Sequence, residues 1–243
     1  MASFNVTAED SSPLITWGPP GAWIDSPDGD FASQSYSAQS WHKTSSQGAY
    51  ATISFEGTGI WLYGAKRPDY GQYNFAVDGQ SVQGSAKSET PAFQQLLGGK
   101  SGLPMGSHTV TLTNTGSGSS IDLDSFVFET QIGSTGAKMS KFTTDDSSSE
   151  ITYTPSLSDW SISPSTSNMN NTLHYTQTGG AQALFKFSGD AVAVYGTVSP
   201  DHANYTISVD GKTHSLNGGA NGIARTLHYQ VQCLVLNDRP CCP

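Results

Sequence analysis

Apolar and polar residues alternate along several short stretches of this chain, which is the pattern of a β-strand with one buried face. In the stretch 59–64, Ile60 and Leu62 fall on one face and Trp61 falls on the other. After a loop, the stretch 72–77 alternates in the same way. The alternation predicts two strands, with Ile60 and Leu62 pointing inward and Trp61 pointing outward.

The stretch 53–79 returns at 185–211, so the chain contains an internal repeat. At a constant offset of 132, ten of the 27 aligned positions are identical, whereas ordinary composition gives roughly two by chance. The identical pairs are Phe55/Phe187, Gly57/Gly189, Tyr63/Tyr195, Gly64/Gly196, Pro68/Pro200, Asp69/Asp201, Tyr73/Tyr205, Val77/Val209, Asp78/Asp210 and Gly79/Gly211. Each copy closes on Asp-Gly, a strong signal for a two-residue type I′ hairpin turn. The repeat therefore predicts two domains of one kind.

The repeat also indicates where these domains begin and end. We expect a first β-sandwich at 4–130, a linker at 131–149 and a second sandwich at 150–243. The proposed linker has no apolar period and is rich in Ser and Thr, as linkers often are.

The second copy is shorter than the first. From Asp78 to Phe128 the first copy uses 50 further residues, whereas 33 residues follow Asp210. The second sandwich is therefore predicted to be truncated at its C-terminal strands, with an atypical tail at 231–243. We expect it to expose strand edges and to be less stable than the first, unless the tail supplies a substitute strand.

Three further segments of the first copy carry strand signals. The segments 106–114, GSHTVTLTN, and 121–129, IDLDSFVFE, alternate and predict two strands, while 92–97 is predicted as a strand or one short helical turn. Trp23 has a counterpart in Trp160, and both are predicted to cover a core because both copies keep them.

The composition favours an all-β chain. Charged residues make up 13% while Gly numbers 26, and such a turn-rich composition fits short strands better than helices. The net charge of −9 has no basic stretch to offset it, which disfavours nucleic acid and anionic membranes as partners. No window approaches the roughly 20 apolar residues that span a bilayer, so membrane insertion is not predicted.

Cysteine occurs only near the C-terminus, as Cys233, Cys241 and Cys242. Because this spacing lacks the pattern of metal ligands, it predicts neither a zinc site nor a disulfide scaffold. No cofactor and no metal are predicted, and a structural calcium ion is left open.

Three sequons indicate passage through a secretory route. Asn5, Asn170 and Asn204 each begin an Asn-X-Thr triplet and would accept glycans there. No signal peptide precedes Phe4, so either the protein is cytosolic or the signal has been removed. Met1-Ala2 looks like an engineered start, and we therefore expect a secreted or cell-surface glycoprotein whose signal peptide is absent from this sequence.

The pattern GxHTVTLTN, followed by a Gly/Ser loop and LDxDxFVF, resembles the galactose-binding-domain-like jelly roll, a scaffold common among carbohydrate-binding modules. The layout from FNVTxEDxSPLITW through WHxTSSQGAxATISFxGTGIWLYGAKRPDYG to the second copy resembles tandem jelly-roll extracellular proteins of mushroom-forming fungi. The resemblance covers residues 4 to about 230. It implies two tandem jelly-roll β-sandwiches and glycan binding, and it implies no catalytic residues.

A sugar site needs an aromatic plate for the pyranose face and polar groups for its hydroxyls. The candidates are Trp41, His42, Trp61, Lys66, Arg67, Asp69 and Tyr70, with Tyr63 nearby. His42 has a counterpart in His174, and a histidine that bonds to neighbouring backbone is the simpler interpretation of this pair.

The second copy indicates which candidates are functional, because both copies must solve the same folding problem. It keeps the Pro-Asp turn but lacks Trp61, Lys66, Arg67 and Tyr70. We therefore expect the ligand site, for a glycan or a uronate, in the first sandwich. Replacing Trp61 or Arg67 by alanine is expected to remove most binding at little cost in folding.

Two other functions stay open from the sequence. A polysaccharide-active enzyme, a glycoside hydrolase or lyase, would need paired carboxylates, for which Asp122, Asp124 and Glu129 are the candidates. Carboxylates on a closing strand more often have capping and turn roles, so a non-enzyme is favoured. The third class is a structural or adhesion protein of the cell surface.

Overall fold

The computed structural model describes residues 1–27, 31–166, 168–219 and, as a strand, 230–236. In the first half the strands are β1 Ala2–Glu9, β2 Ile15–Gly18, β3 Ile24–Asp25, β4 His42–Thr44, β5 Tyr50–Gly57, β6 Gly59–Lys66, β7 Gln72–Val77, β8 Gln80–Ser85, β9 Ala92–Lys100, β10 Gly106–Asn114, β11 Ile121–Leu123 and β12 Ser125–Ile132. The later strands are β13 Ile151–Thr154, β14 Ser161–Ile162, β15 His174–Tyr175, β16 Gln182–Phe185, β17 Ala191–Gly196, β18 Asn204–Val209, β19 Lys212–Asn217 and β20 Gln230–Leu236.

The described helices are short 3-10 turns. They span Phe31–Ser35, Ser37–Gln39, Leu157–Asp159 and Met169–Asn171. The chain is therefore all-β, as predicted. The segment whose class was open, 92–97, lies within strand β9.

Strands β1 to β12 form a jelly roll. One sheet has the order β1-β12-β6-β9, and the other has the order β2-β5-β10-β7-β8. When β2 and the short strands β3, β4 and β11 are set aside, eight strands remain. Counted in chain order, they lie in the sheet orders 1-8-3-6 and 2-7-4-5. This arrangement of eight antiparallel strands in two sheets confirms the predicted fold.

The core lies between these two sheets. Ile60 and Leu62 of β6 are fully buried, as the alternation predicts. The rings of Phe55 on β5 and Phe128 on β12 meet across the sandwich, with centroids 5.9 Å apart. Trp23 is also buried, and its ring nitrogen donates to the carbonyl of Tyr50 over 3.0 Å, so it covers the core as predicted.

The two Asp-Gly turns also form as predicted. Strands β7 and β8 pair from Val77 and Gln80, which leaves Asp78 and Gly79 as a two-residue loop. Their φ angles are +49° and +79°, the positive values that a type I′ turn requires at both positions. The corresponding loop between β18 and β19 has φ of +49° and +83°.

Local pairings of the first half recur in the second half between corresponding strands. Ile15 pairs with Ile53 between β2 and β5, and Ile151 pairs with Phe185 between β13 and β16. In the described residues, β13 to β20 form sheets of two strands each: β13-β16, β14-β15, β17-β20 and β18-β19. The extent of each proposed sandwich, 4–130 and 150–243, remains a proposal.

The apolar residues of the second half are more exposed than their counterparts. Phe187 is 39% exposed and Val194 is 36% exposed, whereas Phe55 and Leu62 are 6% and 0% exposed. In the first half, β10 and β12 cover these positions by pairing with β5 and β6. The described part of the second half has no strand in either place.

The tail supplies one strand, β20, which pairs with β17. Its register shifts between Val194 and Tyr195, and the β6–β9 pairing shifts at the equivalent place, between Leu62 and Tyr63. Strand β20 is therefore the counterpart of β9. The rest of the predicted atypical tail, with Cys241 and Cys242, lies outside the described residues.

Candidate functional site

One end of the first sandwich gathers several of the predicted site residues. The loop after β6 is tied to the segment before β9, because the Arg67 amide donates to the Ala86 carbonyl over 2.9 Å and the Ser88 amide donates to the Arg67 carbonyl over 3.1 Å. Further along this loop, Tyr70 forms an isolated bridge with Ser120, just before β11. We call this region the loop end, defined by Lys43, Arg67, Asp69, Lys87 and Phe93.

A buried carboxylate organises the loop end from below. Asp122 on β11 accepts hydrogen bonds from the hydroxyls of Tyr36 and Tyr70 over 2.5 and 2.6 Å, and from the Ala65 amide over 2.6 Å. Burial raises the pKa of Asp122, and these donors oppose the rise. Burial, with the nearby charge of Asp122, also raises the pKa of both tyrosines, so both stay protonated and donate to Asp122.

Arg67 lies on top of this network. Its guanidinium is over the rings of Tyr70 and Phe93, 5.6 and 5.9 Å from their centroids. Partial burial lowers the pKa of Arg67, but its interactions with Tyr70 and Tyr36 raise it overall. Within the part of the chain that the structure describes, no carboxylate lies within ion-pairing distance of Arg67. The guanidinium therefore lies over two aromatic rings and forms no ion pair with a described carboxylate.

Lys43 covers two of the predicted aromatic residues. Its ammonium is 6.0 Å from the centroid of Trp41, 5.7 Å from that of Tyr70 and 4.0 Å from an Asp69 carboxylate oxygen. Trp41 and Tyr70 are only 5% and 2% exposed. This corrects the expectation that they form a stacking plate, because they support Lys43 and Arg67 from beneath. Phe93 is the partly exposed ring at this end, and it packs edge-on against Tyr36.

His42 is a buried ionic link and not a surface ligand contact. Its Nδ1 is 2.7 Å from Asp10, its Nε2 contacts Asp25, and its ring stacks on Trp17 with centroids 4.4 Å apart. Burial alone lowers the pKa of His42, but the two carboxylates outweigh it and raise this pKa to about 9. The expectation that His42 binds a ligand is corrected, since the ring joins the loop after β1 to strands β3 and β4.

Trp61 lies apart from the loop end. Its half-buried ring covers Gly59 and Gly99 on the outer face of its sheet. Arg67 follows six residues later, directly after the end of β6, which corresponds to about 20 Å at about 3.3 Å per extended residue. Lys66, the last residue of β6, pairs with Ala92 and lies near Arg67. The predicted grouping of Trp61 with the two cations is therefore corrected to two separate places.

Each candidate catalytic carboxylate accepts hydrogen bonds from other residues of the first sandwich. Asp122 and Asp124 are fully buried, and Asp124 accepts from the Ser37 amide over 2.9 Å. Burial, with the charges of Asp10 and Glu9, raises the pKa of Asp124 to about 8. Glu129 accepts from the Thr58 hydroxyl over 2.5 Å. These contacts match the capping roles expected for carboxylates on a closing strand.

The described residues form neither a metal centre nor a membrane-spanning helix. No group of three or more His, Cys, Asp or Glu side chains there could hold a metal ion. No helix among them is long and apolar enough to cross a membrane. The three sequon residues, Asn5, Asn170 and Asn204, are exposed.

A cleft of about 320 Å³ opens elsewhere in the first sandwich, between the β7–β8 hairpin and β9. It is lined mainly by apolar side chains, among them Phe75, Val82 and Leu97, with Gln80 and Lys100 at its border. None of the residues predicted for the ligand site lines it.

Three residues of this site escaped the sequence reasoning. Tyr36, Lys43 and Phe93 come from a loop, a three-residue strand and the first residues of β9, where no alternation marks them. The repeat does carry a signal for two of them, because Tyr36 and Lys43 are replaced by Asn168 and Tyr175 at the offset of 132.

Comparisons with known proteins give distant similarities. No family model matches the chain. The A type blood alpha-D-galactosamine galactosaminidase of Flavonifractor plautii is 24% identical over 168 residues, which cover 69% of this chain and 15% of that enzyme. The chain thus spans about a seventh of that relative's length.

Among solved structures, a family two carbohydrate esterase from Cellvibrio japonicus is 13% identical, with a TM-score of 0.39 over 54% of this chain and 35% of that one. The CBM36-1 domain of a xylanase from the hindgut metagenome of Trinervitermes trinervoides is 12% identical, with a TM-score of 0.37 over 54% of this chain and all of that domain. The fold assignment rests on the strand order described above and not on these scores.

Proposed function

We propose that the protein is an extracellular carbohydrate-binding protein, of the lectin or carbohydrate-binding-module type, whose ligand contacts the loop end. The observation that carries the proposal is Arg67, a cation that lies over the ring of Tyr70 and the partly exposed ring of Phe93 and has no carboxylate partner among the described residues. A saccharide needs such a combination, since its ring presents an apolar face and its hydroxyls need directed donors and acceptors. Lys43 and Asp69 supply a further donor and a further acceptor.

Orientation of these groups before binding supports the same function. Arg67 packs over Tyr70 and Phe93, and Tyr70 is fixed by its hydrogen bond to Asp122, so ligand binding would immobilise few additional side chains. The name of the Flavonifractor plautii relative refers to action on an amino sugar, and this agrees with a saccharide ligand. The fold alone does not determine the function, because jelly rolls host binders and enzymes.

A hydrolase or lyase is the less supported alternative. Hydrolysis requires two carboxylates that reach a glycosidic bond. Asp122 and Asp124, the candidates, are fully buried and accept hydrogen bonds from their own sandwich. A lyase would need a phenol that gives up its proton, whereas the pKa of Tyr36 and of Tyr70 is raised.

The test is a glycan array probed with the full chain, with a parallel assay for sugar released from fungal and plant polysaccharides. We expect binding without hydrolysis, and loss of binding in Arg67→Ala. Lys100→Ala is the matched control, since Lys100 ends β9 about seven residues from Phe93. Release of sugar, or a chain that binds no glycan, would contradict the proposal.

We also propose that the protein is secreted. Asn5, Asn170 and Asn204 are exposed, so each is accessible to glycan transfer. Expressed with a signal peptide in a eukaryotic secretory host, the chain should lose mass when its N-glycans are removed enzymatically. Asn5→Gln should remove one glycan. A chain that is retained in the cell or carries no glycan would argue against this localisation. A fungal source and two tandem sandwiches remain part of the proposal.

A further inference from the structure

We infer that the loop end is selective for anionic saccharides, in which a sugar carries a carboxylate or a sulfate group. This inference rests on the proposed carbohydrate binding and specifies the ligand class. It begins with the distribution of charge. Residues 1–132 contain five Lys and Arg residues, and the chain as a whole has a net charge of −9. Three of the five, Lys43, Arg67 and Lys87, lie at the loop end, and a fourth, Lys66, directly precedes Arg67.

The position of Lys87 follows from strand pairing. Arg67 and Lys87 form an isolated parallel bridge, so the two residues are direct neighbours. Lys87 is exposed, and Lys43 is partly exposed on the other side of Tyr70. The cations therefore line one surface. In a chain with this excess of acid, such clustering favours a function for the positive charge over solubility alone.

Arg67 has the geometry for an anion. A guanidinium carries five donors in a rigid fork that matches carboxylate and sulfate oxygens in pairs. This guanidinium lies over the rings of Tyr70 and Phe93, and no described carboxylate forms an ion pair with it. It is therefore available to pair with an external anion.

The other groups fit a sugar that carries such an anion. Lys43 and Asp69 are 4.0 Å apart and partly exposed, an arrangement that an incoming anion can displace at little cost. Next to Phe93, Gln94 has a φ of +52°, and its side-chain amide donates to the Ser35 carbonyl over 3.2 Å. A non-glycine residue held at this angle often marks a ligand-binding segment.

A purely structural role for these cations is the competing explanation. The buried Asp122 needs a compensating charge, and Arg67 provides one. That explanation does not account for Lys43 and Lys87, which make no described contact to Asp122 and lie at the surface. It predicts that these lysines can be replaced without any effect on a ligand.

The experiment measures affinity of the full chain by calorimetry for matched charged and neutral polymers. Polygalacturonate is compared with its fully methyl-esterified form, and chondroitin sulfate with its desulfated form. In one or both pairs, we expect the charged polymer to bind at least about tenfold more tightly than its neutral counterpart. Raising the salt concentration from 50 to 500 mM should weaken binding to the charged polymers, because salt screens exposed charges.

Variants assign the effect to the loop end. Arg67→Ala should weaken binding to the charged polymer about tenfold or more, and Arg67→Lys should restore only part, since lysine lacks the fork. Lys87→Glu is the second variant, because Lys87 is exposed and its replacement should not affect folding. Lys100→Ala matches the loss of charge in Arg67→Ala, Lys100→Glu matches the change of charge in Lys87→Glu, and both controls should bind as the parent does.

Each outcome decides between the two proposals. Equal affinity for charged and neutral polymers would overturn the anionic selectivity and leave carbohydrate binding intact. No binding to any polymer, in this set or on the array, would overturn both. An equal loss in Lys100→Glu and Lys87→Glu would reveal general charge attraction and also overturn the inference. Selectivity for carboxylate alone or sulfate alone would support it and identify the anion.

Discussion

Removing the imidazole of His42 tests the buried ionic link of the first sandwich. His42 is fully enclosed between Asp10 and Asp25, with Trp17 stacked on its ring. Its pKa is raised from 6.5 to about 9, so the folded protein binds this proton more tightly than the unfolded chain does. The sign follows by linkage. The stabilisation is complete below pH 6.5 and is lost as the pH rises through 9.

The size of this effect follows from the same values. At about 1.36 kcal/mol for each pH unit, the rise from 6.5 to about 9 corresponds to about 3 kcal/mol. In His42→Gln the proton is absent, and two buried carboxylates lose their cation, which costs about 3–5 kcal/mol in comparable sites. The difference in unfolding free energy between parent and variant should therefore be large at pH 6 and shrink by about 3 kcal/mol by pH 9.5.

The assay is urea unfolding at fixed pH values, followed by tryptophan fluorescence. Asp124, whose pKa is raised to about 8, also makes stability fall with rising pH. Its contribution is common to both proteins and cancels in the difference. His214→Gln is the control, since His214 is exposed on β19. A parent–variant difference that stays constant between pH 6 and 9.5 would refute the ionised state of His42.

Three further outcomes follow from packing. Gly64→Ala should lower stability by about 1–3 kcal/mol in thermal unfolding, because a Cβ there would lie 2.6 Å from the Asp122 carbonyl oxygen; an unchanged melting temperature would contradict this. Phe55→Ala should cost about 3–5 kcal/mol, and Phe187→Ala should cost clearly less, because the first ring is buried and the second is 39% exposed; equal losses would be inconsistent with this difference. Limited proteolysis should cleave residues 133–219 before the first sandwich, and equal resistance would argue against a weaker second half.

Local sequence patterns were sufficient for the strands and turns. Ile60 and Leu62 alternate with polar or outward residues, and both are fully buried. Asp78-Gly79 forms its predicted turn, because the positive φ angles are a local property of those two residues. These features depend on neighbours in the sequence, so the sequence suffices to predict them.

The site depended on distant partners and was less predictable. His42 contacts Asp10 and Asp25, and Tyr70 contacts Asp122, at separations in the chain that no local pattern reveals. Their burial therefore could not be inferred from residue type. Trp61 seemed close to Arg67 because few residues separate them, but residues six apart in an extended segment lie about 20 Å from each other.

The repeat separates what the sandwich requires from what the first copy added. The histidine link is kept, since His174 contacts Asp146 over 2.6 Å as His42 contacts Asp10. The phenol network is not kept, because Arg67 and Tyr70 become Ser199 and His202.

A sandwich of this kind can therefore complete the same turn without the network. Burying Asp122 beneath two phenols is costly in a low dielectric, and replacing buried ionic groups by apolar ones is often neutral or stabilising. Packing alone thus gives no reason to retain it. The guanidinium of Arg67 lies over the ring of Tyr70, a member of this network, which supports the proposal that the ligand of the first copy contacts Arg67.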